Sequence, residues 1–153
     1  MSFILHLNPD ELASVIPHLA KYETLIETAE PIFILEGRKL EEVVRTIPYH
    51  QSKYDRAVYD MKALGDWLDG IKEKRTARLW KKYIEGYQKV LSTRDVQAYI
   101  GGEKDIIEVN QVSIEVTLLK NNLNAIAEAI KQLGWMVAHL TKLRVAEIQE
   151  TIL

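Results

Sequence analysis

The most regular feature of the chain is a repeat of aliphatic positions late in the sequence. Val109, Val112, Val116, Leu119, Leu123, Ile126, Ile130, Leu133, Val137 and Leu140 succeed one another at intervals of three and four residues. Such spacing puts every apolar side chain on one stripe of a helix and is the signature of a heptad seam. It predicts a helix of some 40 residues between Glu103 and Ile148, about 60 Å long at 1.5 Å per residue. A chain of 153 residues has little with which to cover such a length. The seam therefore calls for a partner: the Tyr54 to Ile71 helix folded back antiparallel, the same helix of another subunit, or both over different stretches. Because the apolar part of that earlier helix spans only about 18 residues, roughly 27 Å, the favoured expectation is homo-oligomerisation. The contact residues would be Val112, Val116, Leu119, Leu123, Ile126, Ile130, Leu133, Val137 and Leu140, with Trp135 as a neighbouring anchor. Gly134 breaks the pattern at a cost near 1 kcal/mol relative to alanine, and a close helix crossing is one reason for it.

Helical periodicity recurs earlier in the chain. Asn8-Pro9-Asp10-Glu11 is a helix-start signal, and Leu12, Val15, Ile16, Leu19, Tyr22, Leu25 and Ile26 share a face over residues 9–30, with Pro17 expected to kink or split the element. The short apolar run from Pro31 to Gly37, bounded by breakers, reads as a connector. A second helical region begins at Leu40, where Pro48 is either an interruption or a first-turn residue. Within it Tyr54, Val58, Met61, Leu64, Leu68 and Ile71 form a stripe whose next steps are Arg75, Arg78 and Lys82. With no breaker between Gly70 and Gly86, this predicts one long helix leaving the core for solvent. Ser92-Thr93 and Gly101-Gly102 mark connections. With seven glycines, four prolines and these periods, the fold class is all-α. The expected form is an elongated helical domain ending in the long heptad-patterned helix.

Charge changes the picture once it is resolved along the chain. The formal net charge is -2. Residues 72–94 nevertheless hold eight cations (Lys72, Lys74, Arg75, Arg78, Lys81, Lys82, Lys89 and Arg94) against Glu73 and Glu85, a surplus of six on an otherwise acidic body. Ordinary surface helices interleave opposite charges at i and i+4; between Lys72 and Lys82 the only acid is Glu73. Trp80, Tyr83 and Tyr87 lie among these cations, a combination suited to single-stranded nucleic acid, where cations follow phosphates and aromatic faces stack on unpaired bases. The alternatives are a solvated helix face, or core packing for Trp80. The expected contact set for single-stranded DNA is Lys72, Lys74, Arg75, Arg78, Trp80, Lys81, Lys82, Tyr83 and Lys89.

Catalytic chemistry finds little footing. There is no cysteine, so thiol nucleophiles, Cys-based zinc sites and disulfides are excluded. His6, His18, His50 and His139 are scattered without metal-ligand spacing, and Gly101-Gly102-Glu103-Lys104 is not a phosphate loop. The reading is a non-enzymatic protein with neither cofactor nor metal. The first residues, MSFILHLNPDE, lack the features of a signal peptide, and no apolar stretch is long enough to span a bilayer, so a soluble, cytoplasmic protein without a membrane is expected.

From about Lys39 onward the chain resembles the UvsY family, the recombination mediator proteins of T4-like bacteriophages. The resembling segments are Ala77-Arg78-Leu79-Trp80-Lys81-Lys82-Tyr83-Ile84-Glu85-Gly86, Lys104-Asp105-Ile106-Ile107-Glu108-Val109, and Ala129-Ile130-Lys131-Gln132-Leu133-Gly134-Trp135 with Arg144 downstream. They follow the family's order over roughly three quarters of the chain. The resemblance implies a ring-like homo-oligomer closed by C-terminal helices that binds single-stranded DNA. It further implies partners in a recombinase and a single-strand-binding protein, one replacing the other on DNA, and a location in the host cell cytoplasm if the protein is phage-encoded. Arg78 matches a basic residue of the family's DNA-binding segment; Thr76 stands where a second is expected, and Val145-Ala146-Glu147-Ile148 replaces an aromatic-x-x-Gly ending. The expected organisation is an N-terminal helical segment and connector over 1–38, a DNA-binding region over 39–100 and an oligomerisation helix over 101–153. A competing reading is a coiled-coil adaptor whose basic segment meets an acidic protein partner.

Overall fold

The computed structural model describes the backbone from Phe3 to Thr151 and side chains as far as Glu147. Among the described residues it is all-α: helices α1 (Ile16–Glu27), α2 (Leu40–Gly86), α3 (Thr93–Gly102) and α4 (Lys104–Thr151), with 3-10 turns at Phe3–His6, Leu12–Val15 and Glu30–Ile32. The chain forms two compact units. The first contains residues 1–20 and 60–119, the second residues 21–59 and 120–153.

The start of the fold departs from the expected 9–30 helix. Asn8 Oδ1 accepts from the Asp10 amide at 3.0 Å, a local turn that competes with helix formation, and the chain goes through a 3-10 turn before α1 begins at Ile16. Pro17 falls in the first turn of α1, where its missing N–H costs nothing. The Pro31–Gly37 segment is a connector of a 3-10 turn and a tight bend, with Gly37 at φ 74°, a backbone region that disfavours side chains. Pro48, expected as an interruption or a first-turn residue, lies well inside α2. Pro48 and Val44, whose carbonyl loses its helical partner, are both exposed, so water can satisfy that oxygen.

In the first unit the apolar stripe of α2 is buried as its spacing requires. Met61, Leu64, Leu68 and Ile71 share the interior with Leu12, Val15 and Leu19, and with Val109, Val116 and Leu119 of α4. Each such side chain contributes roughly 1.5–3 kcal/mol through burial. The helix does not then run out into solvent. Leu79 packs with Val96 and Ile100 of α3 and Ile106 of α4, and Trp80, Tyr83 and Leu91 close over this cluster. In the second unit Val43, Tyr54 and Ala57 of α2, Tyr22 of α1 and Ala29 and Ile32 of the connector are buried, as are Leu123, Ala127, Ile130, Leu133 and Val137 of α4. The Tyr54 hydroxyl donates to the Leu25 carbonyl at 2.7 Å, satisfying the one polar atom of this buried ring.

The heptad seam is therefore consumed within a single chain. Val116, Leu119, Leu123, Ile130, Leu133 and Val137 are buried without a second subunit, and Val112 and Ile126 are half-buried. The length argument for a partner fails for a physical reason: α2 is 47 residues long and apolar well beyond the 18-residue stripe, and α1 and the connector add further cover. Only Trp135 and Leu140 of the expected oligomer contacts are exposed, at 69% and 40%. Trp135 is thus no anchor inside the chain.

Candidate nucleic-acid interface

Within the first unit the basic segment covers the last turns of α2, where it faces α3 and the first turns of α4, and continues through the connection holding Lys89 to Arg94 at the start of α3. A row of ion pairs fixes the register: Arg75 meets Glu108 at 3.0 Å, Arg78 meets Asp105 at 3.1 Å and Lys82 meets Glu103 at 3.4 Å. Residue numbers rise on α2 as they fall on α4, so the two run antiparallel here. The acids missing from residues 72–82 are supplied by Asp105 and Glu108 of α4 and by Glu103 at the junction of α3 and α4, between 21 and 33 positions further along the sequence.

Arg75 has become an internal strut. It is 8% exposed. One guanidinium nitrogen donates to the Asp105 carbonyl at 2.7 Å and to Glu108 Oε2, and the other donates to the Pro9 carbonyl at 3.2 Å. With three of its five N–H donors engaged inside the protein and little of its surface exposed, Arg75 is a structural residue rather than an open phosphate contact, which corrects its expected role. Trp80 is partly buried on the Leu79, Val96, Ile100 and Ile106 cluster, and the rest of it lines an open cleft with Lys72, Glu73, Thr76 and Ala77. Arg78 and Lys82 keep 65% of their side-chain surface while paired, so each still has donors facing water.

Lys72, Lys74, Lys81 and Lys89 from the expected set, together with Arg94, are exposed and form no ion pair among the described residues. Lys74, Arg78 and Lys81 stand four and three residues apart and so share a helix face. Beside that face lies a cleft of about 440 Å³ lined by Asp66, Trp67, Gly70, Ile71, Lys74, Arg75 and Arg78 of α2 with Pro9 and Asp10, so two acids sit among its cations.

Three tyrosines come together at the end of α2: Tyr83 in its last turn, Tyr87 just past it and Tyr99 on α3. The Tyr83 ring lies 5.6 Å from both Tyr87 and Tyr99, and the last two are 6.2 Å apart, with interplanar angles of 38°, 18° and 20°. Tyr87 and Tyr99 keep 50% and 48% of their surface. Lys82 Nζ sits 5.6 Å from the Tyr83 ring centre, within range of a cation–π attraction. The return of α3 that brings Tyr99 here starts at a capping box. Ser92 Oγ accepts from the Asp95 amide, and the Asp95 carboxylate accepts from the Ser92 amide at 3.3 Å. Val96 and Ile100 then face the Leu79 cluster, and Tyr99 stays at the edge.

Tyr83 is held in place by its hydroxyl, which donates to Glu103 Oε1 at 2.5 Å. That bond, reinforced by desolvation and the carboxylate's charge, pushes the Tyr83 phenol up to about 12. The same bond holds Glu103 below the usual carboxylate range, overcoming desolvation, which acts the other way, with further help from Lys82. Both shifts favour neutral phenol and ionised carboxylate, so the ring orientation is fixed across the neutral range. Tyr87 and Arg94, inside the basic segment, and Tyr99, beyond it, lie outside the expected contact set, yet the fold leaves them exposed and gathers the two tyrosines beside Tyr83. Tyr87 was visible among the charges, whereas Tyr99 carries no local signal and is joined to the others only by the α3 turn.

Among the described residues no group of three His, Asp or Glu side chains is arranged to hold a metal ion, and no helix is long and apolar enough to cross a membrane. No protein-family model, curated protein or solved structure matches the chain.

Proposed function

We propose that this protein binds single-stranded DNA along α2 and α3 and acts as a recombination mediator of the UvsY kind, helping a recombinase displace a single-strand-binding protein. The observation that carries the reading is the cluster of Tyr83, Tyr87 and Tyr99, in which Tyr87 and Tyr99 are half exposed, with Lys82 beside the partly buried Tyr83. Unpaired bases stack on such rings at about 1–3 kcal/mol each, and nearby lysines neutralise the intervening phosphates. Lys74, Lys81, Lys89 and Arg94 serve as the principal phosphate contacts, with Arg78 and Lys82 contributing from their free sides. Arg75 and Trp80 support the site from beneath. Homo-oligomerisation would repeat this weak site and raise its avidity. Since the heptad seam is occupied, self-association falls to the exposed residues Trp135, Met136, Leu140 and Leu143 of α4. The same exposed residues favour a second reading, an adaptor that docks another protein there.

The test is fluorescence anisotropy with oligo-dT and with duplex of equal length. Four phosphate contacts give a log–log salt slope of about -3 for a single strand, a loss of roughly fifty-fold between 50 and 200 mM salt. Binding that is indifferent to salt, or stronger for duplex, would exclude the reading.

A further inference from the structure

Within the second unit, well separated in sequence from the tyrosine stack, a cavity of about 380 Å³ is lined by Thr28, Pro31, Ile32, Arg38, His50, Lys53 and Tyr54. Its lining includes an arginine, a lysine and a histidine but no carboxylate. Neither Arg38 nor Lys53 forms an ion pair among the described residues. The nearby Asp55 accepts from the Gln51 side-chain amide at 3.0 Å and does not line the cavity. An uncompensated positive site of this kind attracts anions.

The other polar groups of the lining are already engaged. The Thr28 hydroxyl donates to the Thr24 carbonyl at 2.7 Å, and the Tyr54 hydroxyl donates to the Leu25 carbonyl at 2.7 Å. His50 Nδ1 is shut off from solvent and has no partner. Either tautomer of the neutral ring leaves that nitrogen unsatisfied, and the one with its proton on Nε2 has a donor to offer an anion. Free donors are thus confined to the Arg38 guanidinium, the Lys53 ammonium and His50 Nε2. Arg38 owes its position to the bend at Gly37, and its amide donates to the Leu35 carbonyl at 3.1 Å.

The geometry points to a binding site for a phosphate dianion at Arg38, Lys53 and His50, either free orthophosphate or the terminal phosphate of a nucleic acid strand. A planar guanidinium offers paired donors and lysine a compact charge, the combination used for phosphate oxygens. The site does not rest on the single-stranded DNA reading. Burial together with Lys53 and Arg38 holds the His50 pKa below its ordinary value. A bound dianion reverses the sign of the local field and raises it.

NMR pH titration of the His50 ring protons in the full chain tests this, with the resonance assigned by His50→Asn. Orthophosphate at 10 mM is expected to raise the His50 pKa by about half a unit or more, saturably, and Lys53→Met, at an exposed position, is expected to abolish most of the rise. Sodium chloride at equal ionic strength is the control for screening. An equal shift with chloride, or none with phosphate, overturns the site. Oligo-dT with and without a 5′-phosphate separates the sources. A shift with the phosphorylated strand alone assigns a strand terminus, and a shift with orthophosphate but neither strand assigns the free ion. Equal shifts with both strands overturn the dianion assignment. Because the readout is local to His50, it can succeed or fail whatever the tyrosine stack does.

Discussion

Residues of one chemical type take different parts according to what lies across from them. Arg75 and Lys81 look alike in a charge count, yet one is a buried strut and the other is open to water. Replacing Arg75 with methionine strips the Pro9 and Asp105 carbonyls of their donor and leaves Glu108 without its cation. Because Glu108 keeps 42% of its side-chain surface, water softens that loss, and the expected cost is about 2–3 kcal/mol in urea unfolding. Lys81→Ala should instead leave the unfolding midpoint unchanged and weaken oligo-dT binding. Equal stability of the Arg75 variant would contradict its structural role. The Tyr83–Glu103 bond makes a second prediction. Raised in the fold, the Tyr83 pKa adds stability that is complete below about 10 and lost as pH climbs toward about 12. Depressed in the fold, the Glu103 pKa adds stability that is present above the ordinary glutamate value and lost as pH falls through its lowered one. Absorbance titration of the tyrosinates should show a late phase that moves down toward 10 in Glu103→Gln; an unchanged late phase would mean the bond is not made.

Whole elements were legible wherever periodicity alone decides structure. The stripe from Tyr54 to Ile71 and the seam from Val109 to Val137 are both buried, because helical spacing states which side is apolar. Periodicity does not state what covers that side. Local rules also miss how tolerant a long helix is: Pro48 reads as a break, yet α2 runs through it since the exposed Val44 carbonyl can turn to water. Pro48→Ala should accordingly raise stability by up to about 3 kcal/mol, read as a higher melting temperature. A lower melting temperature would mean that the proline shapes α2 in a way the packing needs. Gly134 gives a parallel case. A methyl group there would meet Ile47 Cγ2 at 3.6 Å, an ordinary contact. Gly134→Ala should therefore gain about 1 kcal/mol of helix propensity. A loss of stability or of oligomer mass would show that another helix approaches this point more closely than Ile47 does.

At the scale of the whole molecule, the net charge of -2 conceals a sorting of cations and acids that only the fold reveals. The surplus of six in residues 72–94 is partly cancelled by Glu103, at the end of α3, and by Asp105 and Glu108 of α4, which the return of the chain brings alongside. Most of the candidate lysines could be found by counting. Which cations are spent could not, because their partners are separated from them by 21 residues or more. The tyrosine stack has the same origin, its third ring arriving on α3. The central claim is that these rings are where unpaired bases stack. Its most direct test is the affinity of the Tyr87→Ala, Tyr99→Ala double variant for oligo-dT at fixed low salt, with helicity by circular dichroism and mass in solution measured alongside. Both rings are half exposed, so fold and mass should be unchanged while affinity falls by about ten-fold or more. Unaltered affinity in a folded variant would contradict the claim.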